Sequence, residues 1–283
     1  MTHRDTALPH PDQSALGRAT VVPTRLGGLH VRTIGDGVPT VLWSSMFVDS
    51  TSWDRMMPLQ PKGRRYLLVD PPGLGRSQAL ERATDIAGAA DAATDLLDEL
   101  GVEGPVDWVG NAFGGHVGYE LGARPGVLRS LVAVSSPTEP VPARLRRQIQ
   151  VLLPLLRATG PVGPVRRAVL AGMLTDASAA EESIRRVVVE SLARPPRRSL
   201  ALAVRSFILN RVDVTARLGK LTVPSLFVAS DDRGDWSPHT AQSAAAVAPF
   251  ATAVTISRAR TLIPLEQPQA LAAELLRFWT ATG

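Results

Sequence analysis

The chain has no cysteine, few lysines and few aromatic residues. The absence of cysteine excludes disulfide bonds, thiolate catalysis and cysteine-ligated zinc. Aromatic residues make up only 5% of the 283 residues, so the core must consist mainly of Val, Leu, Ile and Ala. Only Lys62 and Lys220 are lysine, among 31 basic residues. The formal net charge of +5 is modest and is not concentrated in a tail, which argues against a nucleic-acid partner.

Long apolar runs are also missing. No window approaches the roughly 18 uninterrupted apolar residues of a membrane span, so we expect no membrane partner. The first residues, with His3, Arg4 and Asp5, lack the apolar core of a signal peptide. We therefore expect a cytoplasmic protein with a disordered or extended leader over residues 1–19. No pair of histidines has a convincing metal-ligand arrangement, so we predict no metal and no cofactor.

The order of the apolar runs predicts an α/β fold with a doubly wound, mostly parallel sheet. Short apolar runs typical of buried strands occur at residues 39–43, 65–69, 130–135, 223–229 and 251–257. Between them, residues 84–100 place Ile86, Ala90 and Leu97 on one face at helical spacing. Strands that alternate with helices favour parallel pairing through right-handed crossovers.

The region from residue 137 to about 217 has helical patterns and no convincing strand. We interpret it as a helical cap inserted into a core formed by residues 20–136 and 218–283. Residues 178–181 have the pattern of a capping box before a helix. The cap is rich in arginine, often as adjacent pairs such as Arg146 and Arg147. Its basic outer face suits an acidic carrier protein or an anionic substrate tail, and the alternative is an ordinary solvated surface.

The most informative stretch is residues 105–116, which predicts a buried strand, a sharp turn and the start of a helix. Its centre is Gly110-Asn111-Ala112-Phe113-Gly114, the frame of a nucleophile elbow, Gly-x-Ser-x-Gly. Glycines in this frame allow the strand and the helix to approach closely. The central position is alanine, however, and a methyl group cannot attack a carbonyl carbon.

Four segments together resemble the α/β-hydrolase superfamily, and the resemblance extends from about residue 20 to the C-terminus. They are the Asp-x-Pro-Gly-x-Gly-x-Ser-like loop at residues 70–77, the elbow, the strand at 223–228 with the acidic residues that follow it, and residues 262–268. The last segment resembles the one that follows the catalytic histidine in the family. The resemblance implies an α/β-hydrolase core with a cap over a pocket at the carboxyl ends of the strands.

The chain departs from the family pattern at most of the catalytic positions. The nucleophile position holds Ala112, the histidine position holds Thr261, and a common His-Gly pair is replaced by Ser44-Ser45. Asp232 is the best match for the acid. Because a nucleophilic triad needs a nucleophile and a base, two of three essential groups are missing. Natural loss and an engineered Ser→Ala change are both open, and the second loss favours natural degeneration.

Several residues are candidates for the chemistry that is left. By the resemblance, the backbone N–H groups of Met46 and Phe113 form an oxyanion hole, and neither depends on a side chain. The alternative is that the polar residues of the loop at 44–50 only cap backbone groups. His116 is either a proton-transfer group or a packed helix residue. Asp232 is either a base in the pocket or paired with Arg258 or Arg260.

We list Asp232, Ser45 and His116 as candidate catalytic residues. Candidate substrate-binding residues are Ser44, Met46, Ala112, Phe113 and Thr261.

The leading functional hypothesis is an enzyme that no longer forms a covalent acyl intermediate. It would promote cyclisation, elimination, rearrangement or hydration of a small, largely apolar carbonyl compound. By resemblance to cofactor-free members of the superfamily, a step in bacterial secondary metabolism is expected. One rival is a ligand-binding pseudoenzyme, and another is an esterase or lactonase represented by an inactivated variant. The fold alone does not decide among them.

Overall fold

A computed structural model describes residues 17–234 and 236–282. Within them, eight strands form one sheet in the order β1-β2-β4-β3-β5-β6-β7-β8. β2 pairs antiparallel with β1 and β4, and all other neighbours are parallel, so the predicted doubly wound, mostly parallel sheet is confirmed. The strands are β1 (Arg18–Val22), β2 (Leu29–Ile34), β3 (Val38–Trp43), β4 (Arg64–Val69), β5 (Val106–Asn111), β6 (Leu128–Val134), β7 (Ser225–Ser230) and β8 (Ala251–Ile256).

Helices cover both faces of the sheet. The core helices are α1 (Ile86–Glu99), α2 (Phe113–Gly122), α8 (Pro238–Val247), α9 (Ile263–Glu266) and α10 (Pro268–Thr282). Side chains of β6 alternate between the two faces, as the two-residue period of a strand requires. Leu131 and Ala133 pack in the apolar cluster that contains α1, α2 and α8, whereas Val132 packs in the cluster that contains α10. The sheet is therefore the middle layer of three.

Between β6 and β7 the described chain is helical and contains no strand. The helices there are α3 (Ala143–Thr159), α4 (Gly163–Met173), α5 (Asp176–Ala180), α6 (Glu182–Ala193) and α7 (Arg197–Ala203), followed by a π-helical turn (Val204–Leu209) and a 3-10 helix (Thr215–Lys220). We call this region the cap. Its apolar side chains join the cluster on the α1, α2 and α8 side of the sheet. Among the described helices, none is both long enough and apolar enough to cross a membrane.

Two element boundaries differ from the sequence prediction for reasons of helix capping. Helix α1 begins at Ile86 rather than at residue 84, because the Asp85 side chain caps it by accepting a hydrogen bond from the Gly88 N–H. The capping box predicted at residues 178–181 is wrong. Thr175 caps the short helix α5 by accepting from the Ser178 N–H, and Glu181 is the residue before α6. The predicted leader lies mostly outside the described residues, and β1 already begins at Arg18.

Candidate active site

The turn between β5 and α2 has the strained backbone of an elbow. Ala112 lies there with φ +46° and ψ −103°, a region that non-glycine residues rarely adopt. Such a residue costs of order 1–3 kcal/mol and persists only where its surroundings impose it. A Cβ added to Gly110 would overlap the Gly114 backbone, and a Cβ added to Gly114 would overlap the Trp43 carbonyl. The glycines thus let β5, α2 and the end of β3 meet at backbone contact.

Two main-chain N–H groups at this end of the sheet are candidate donors. Phe113 is the first residue of α2, where a helix leaves its N–H groups without intrahelical partners. Met46 lies in the loop that follows β3, next to the Trp43 backbone against which Gly114 packs. Among the described residues, neither the Phe113 N–H nor the Met46 N–H donates a hydrogen bond to a protein group. Both residues line the same cavity, described below.

A cavity of about 370 Å³ lies between the elbow and the cap. This volume falls within the usual range of small-molecule pockets, about 300–1,000 Å³. The rings of Phe113, at the elbow, and Phe207, in the cap, stack at a centroid distance of 4.3 Å, so the two sides of the cavity are in contact there. The apolar cap residues that line it are Leu145, Ile149, Leu152, Leu153, Leu156, Val165, Val169, Met173, Val204, Phe207 and Ile208.

Most of the predicted site residues lie at this cavity. Those that line it are Ser45, Met46, Ala112, Phe113, His116 and Thr261. Ser44 does not, because its buried hydroxyl donates to the Val69 carbonyl and accepts from the Trp53 indole N–H. Asp232 is not among the lining residues either, although its neighbour Arg233 is. The roles assigned to these residues stay predictions; the structure supplies their positions.

Asp232 is held by two arginines. The Nε and Nη2 atoms of Arg260 lie 3.1 and 2.8 Å from Oδ2 of Asp232, and the Arg233 N–H donates to Oδ1 at 2.7 Å. Burial opposes ionisation of this carboxyl, but these hydrogen bonds and the two positive charges outweigh it and hold its pKa below the usual value. This geometry corresponds to the salt bridge with Arg260 rather than to a free base in the pocket.

Thr261 is fixed between the elbow and the cap. Its carbonyl accepts from the Asn111 side chain at 2.8 Å, and its hydroxyl donates to the Gly172 carbonyl at 3.0 Å. Asn111 directly precedes Ala112, so this hydrogen bond joins Thr261 to the residue next to Ala112.

His116 lies one helical turn after Ala112 and is buried, with 5% of its surface exposed. Its Nε2 atom is 2.8 Å from the Pro137 carbonyl oxygen. Burial, and secondarily the positive charge of Arg211, lower its pKa to about 3, and the bond to Pro137 only partly opposes them. The side chain is therefore neutral at physiological pH. Among the described residues, no three or more His, Asp or Glu side chains converge to hold a metal ion.

Sequence reasoning missed several cavity residues. Arg211 follows the π-helical turn and lines the cavity, as does Ser135, which directly follows β6 and has φ +50°. Asn111 belongs to the predicted elbow, but the hydrogen bond from its side chain to the Thr261 carbonyl was not predicted. No local pattern distinguishes these residues, because a positive φ at serine and a cavity-facing arginine are consequences of packing. Sequence alone offers no signal for them.

The outer surface of the cap hairpin α3–α4 is strongly basic. Residues 140–175 contain six arginines and no acidic residue. None of the six forms an ion pair with a described acidic side chain; they are Arg144, Arg146, Arg147, Arg157, Arg166 and Arg167. An acidic carrier protein as a partner of this surface stays a prediction.

Comparison with known proteins agrees with the fold. The model of the alpha/beta hydrolase family matches residues 40–274. A relative named "Putative carbamate hydrolase RutD", from Variovorax paradoxus, is 31% identical over 212 residues, which are 72% of this chain and 78% of that protein.

Solved structures share the whole architecture. A thermophilic esterase from Thermogutta terrifontis has a TM-score of 0.82 at 20% identity and covers 94% of this chain and 99% of its own. The enol-lactonase from Burkholderia xenovorans LB400 has a TM-score of 0.81 at 19% identity and covers 92% and 100%. At these identities the two structures establish the fold, while the family match covers most of the sequence. The chain belongs to the α/β hydrolase family.

Proposed function

We propose that this chain is a family enzyme that acts on a small, largely apolar carbonyl compound without forming a covalent acyl-enzyme. The observation that carries the proposal is the side chain at the elbow. Ala112 occupies the strained position from which the family's nucleophile faces its substrate, and it lines the cavity with a methyl group. Thr261 and the paired Asp232 offer no base to activate another nucleophile there.

The main-chain donors support activity of a different kind. A carbonyl oxygen placed between the Met46 and Phe113 N–H groups would be polarised, and an enolate or alkoxide formed from it would be stabilised. Such donors are strongest where water is excluded, and the cap supplies apolar walls for that purpose. Cyclisation, elimination, rearrangement and hydration of carbonyl compounds each have mechanisms that develop negative charge on the carbonyl oxygen. These are the reaction classes that we propose.

Serine-hydrolase reagents test the negative half of the proposal. A fluorophosphonate probe should not label the protein, and p-nitrophenyl esters should not turn over above background. Stoichiometric labelling in the elbow region would contradict the proposal directly.

Medium-chain ketones test the positive half. Decan-2-one should bind, and its α-hydrogens should exchange with D₂O faster than in buffer alone, because deuteroxide or buffer base that enters the cavity takes the α-proton while the two N–H donors lower the free energy of the enolate. Ala112→Trp should abolish binding and exchange by filling the cavity. Ala246→Trp, on the exposed face of α8, is the matched control and should change neither. Binding without faster exchange would instead support the ligand-binding pseudoenzyme.

A further inference from the structure

Two buried polar side chains flank Ala112 and have polar atoms without partners. Nδ1 of His116 and Oγ of Ser45 are both buried, and among the described residues neither has a hydrogen-bond partner. Both side chains line the cavity, which is otherwise bounded mainly by apolar groups. A buried polar group that lacks a partner is costly, and such groups are rare in folded proteins unless a ligand or water pairs with them.

The hydrogen-bonding role of His116 follows from its other ring nitrogen. A carbonyl oxygen can only accept, so the 2.8 Å contact with Pro137 places the ring hydrogen on Nε2. In the neutral ring Nδ1 is then an acceptor with a free lone pair. A ligand must therefore present an O–H or N–H group to it, and a purely aliphatic ketone has none.

The position of His116 sets where that donor must be on the ligand. Ala112 is the residue directly before α2, and its carbonyl accepts from the His116 N–H at 3.2 Å, so the first turn of α2 holds His116 beside the elbow. A carbonyl oxygen held by the Met46 and Phe113 N–H groups is thus only a few bonds from a donor that reaches Nδ1. A hydroxyl group on the β-carbon satisfies this spacing.

We propose that the ligand of this cavity is a β-hydroxy carbonyl compound, whose hydroxyl group donates to Nδ1 of His116 and accepts from the Ser45 hydroxyl. The proposal rests on the proposed function, since it places the carbonyl oxygen at the Met46 and Phe113 donors. His116 and Ser45 are then specificity-determining residues. They recognise the substituent next to the reacting carbonyl rather than the carbonyl itself.

The electrostatics of the site favour this role for His116 over proton transfer. Among the described residues, the charge that acts on the ring is that of Arg211, and Tyr119 is a titratable neighbour whose ring centroid is 6.1 Å away. Burial and the charge of Arg211 lower the pKa of His116 to about 3, which makes it a poor base near neutral pH. As a neutral acceptor it keeps the same hydrogen-bonding state from pH 5 to pH 8.

Three matched probes test the proposal by isothermal titration calorimetry. They are decan-2-one, 4-hydroxydecan-2-one and 4-methoxydecan-2-one, of which only the hydroxy compound can donate a hydrogen bond. The wild-type protein should bind the hydroxy probe about tenfold more tightly than the methoxy probe. This ratio should be the same at pH 5 and pH 8. His116→Phe should reduce this ratio to about one, whereas His239→Phe at an exposed position should leave it unchanged. Ser45→Ala should instead reduce the preference for the hydroxy probe over decan-2-one, because the methoxy oxygen also accepts from Ser45.

The outcomes separate this inference from the proposed function. If all three probes bind equally well to the wild-type protein, or if His116→Phe keeps the full preference, the inference is wrong while the carbonyl site stands. If none of the three binds, the proposed function fails with it. Should His116→Phe not fold, ¹⁵N NMR of the wild-type ring decides: the Nδ1 resonance should shift with the hydroxy probe and not with the methoxy probe, and the absence of that difference overturns the inference.

Discussion

Rebuilding a catalytic triad in this chain should require three substitutions rather than two. Ala112→Ser and Thr261→His supply the residue types that the family uses as nucleophile and base. The remaining acid, however, is engaged by Arg260, which places two nitrogen atoms within 3.1 Å of Oδ2 of Asp232. A histidine introduced at position 261 would find that carboxylate occupied, and the charge of Arg260 next to it would disfavour the imidazolium that forms during catalysis. Arg260→Met removes the charge and keeps an apolar stem.

The size of the effect follows from what the acid contributes in natural triads. In well-studied serine hydrolases, loss of the orienting carboxylate alone costs about 10⁴-fold in kcat. Even a hundredth of that factor, about 10²-fold or about 2.7 kcal/mol of transition-state stabilisation, is readily measured. We therefore expect Ala112→Ser alone to show background activity, the double variant to show little more, and addition of Arg260→Met to raise kcat by about 10²-fold.

The assay is turnover of p-nitrophenyl butyrate, with thermal unfolding measured on every variant. The triple variant with Arg258→Met in place of Arg260→Met is the matched control. Arg258 holds Asp231 through its backbone N–H, which the substitution retains, so the control should behave like the double variant. Equal activity of the double and triple variants would show that Arg260 does not restrain Asp232. Activity in Ala112→Ser alone would reveal another base, with His116 the first suspect.

Two predictions concern stability. Gly115→Ala should destabilise the protein by several kcal/mol in chemical denaturation, because the new Cβ would overlap the Ser136 side chain. Gly172→Ala is the control: it has open space around it in α4, so it should be neutral or stabilising by up to about 1 kcal/mol. Equal effects of the two substitutions would contradict the packing argument. Burial opposes ionisation of the Asp70 carboxyl, but hydrogen bonds from His30, Ser50 and Arg76 outweigh burial and lower its pKa. The ionised carboxylate therefore stabilises the folded protein fully at neutral pH, and this contribution is lost as the pH falls below about 4. Asp70→Asn should accordingly lower stability at pH 7 and flatten its dependence on pH in acid, and an unchanged acid limb would refute that role.

Sequence patterns predicted the sheet well because buried parallel strands leave a strong local signature. The apolar runs at β3, β4, β6, β7 and β8 appear within a few residues of the predicted positions. The elbow was also recognisable, because its glycines form a short motif in the sequence, although only the Gly110–Gly114 contact is local and Gly114 is required by the distant Trp43 carbonyl. Capping was less predictable: residues 178–181 match a capping box, yet Thr175 makes the capping bond of α5. Several residues in one short stretch can serve as caps, and packing selects one of them.

The site was predictable only as a set of positions. Arg258 and Arg260 were equal candidates to pair with Asp232 in the sequence, and only the turn after β8 brings Arg260 to it. The lone pair of His116 is likewise a product of tertiary structure, because the Pro137 carbonyl that fixes the ring lies 21 residues away. Hydrogen-bond and ion-pair partners that are distant in the sequence cannot be predicted from periodicity or motif spacing.

The elbow itself suggests how this family can change its chemistry without losing its fold. The strain at Ala112 does not depend on the side chain there, since it is imposed by the contacts of Gly110, Gly114 and the Trp43 backbone. The same contacts place the Phe113 N–H at the start of α2 and bring the loop that contains Met46 beside it. A hydrolase that loses its nucleophile therefore keeps its main-chain donors, because the geometry that positioned the nucleophile is the geometry that positions them. Under our proposal, side chains such as Ser45 and His116 then select which carbonyl compound binds at those donors.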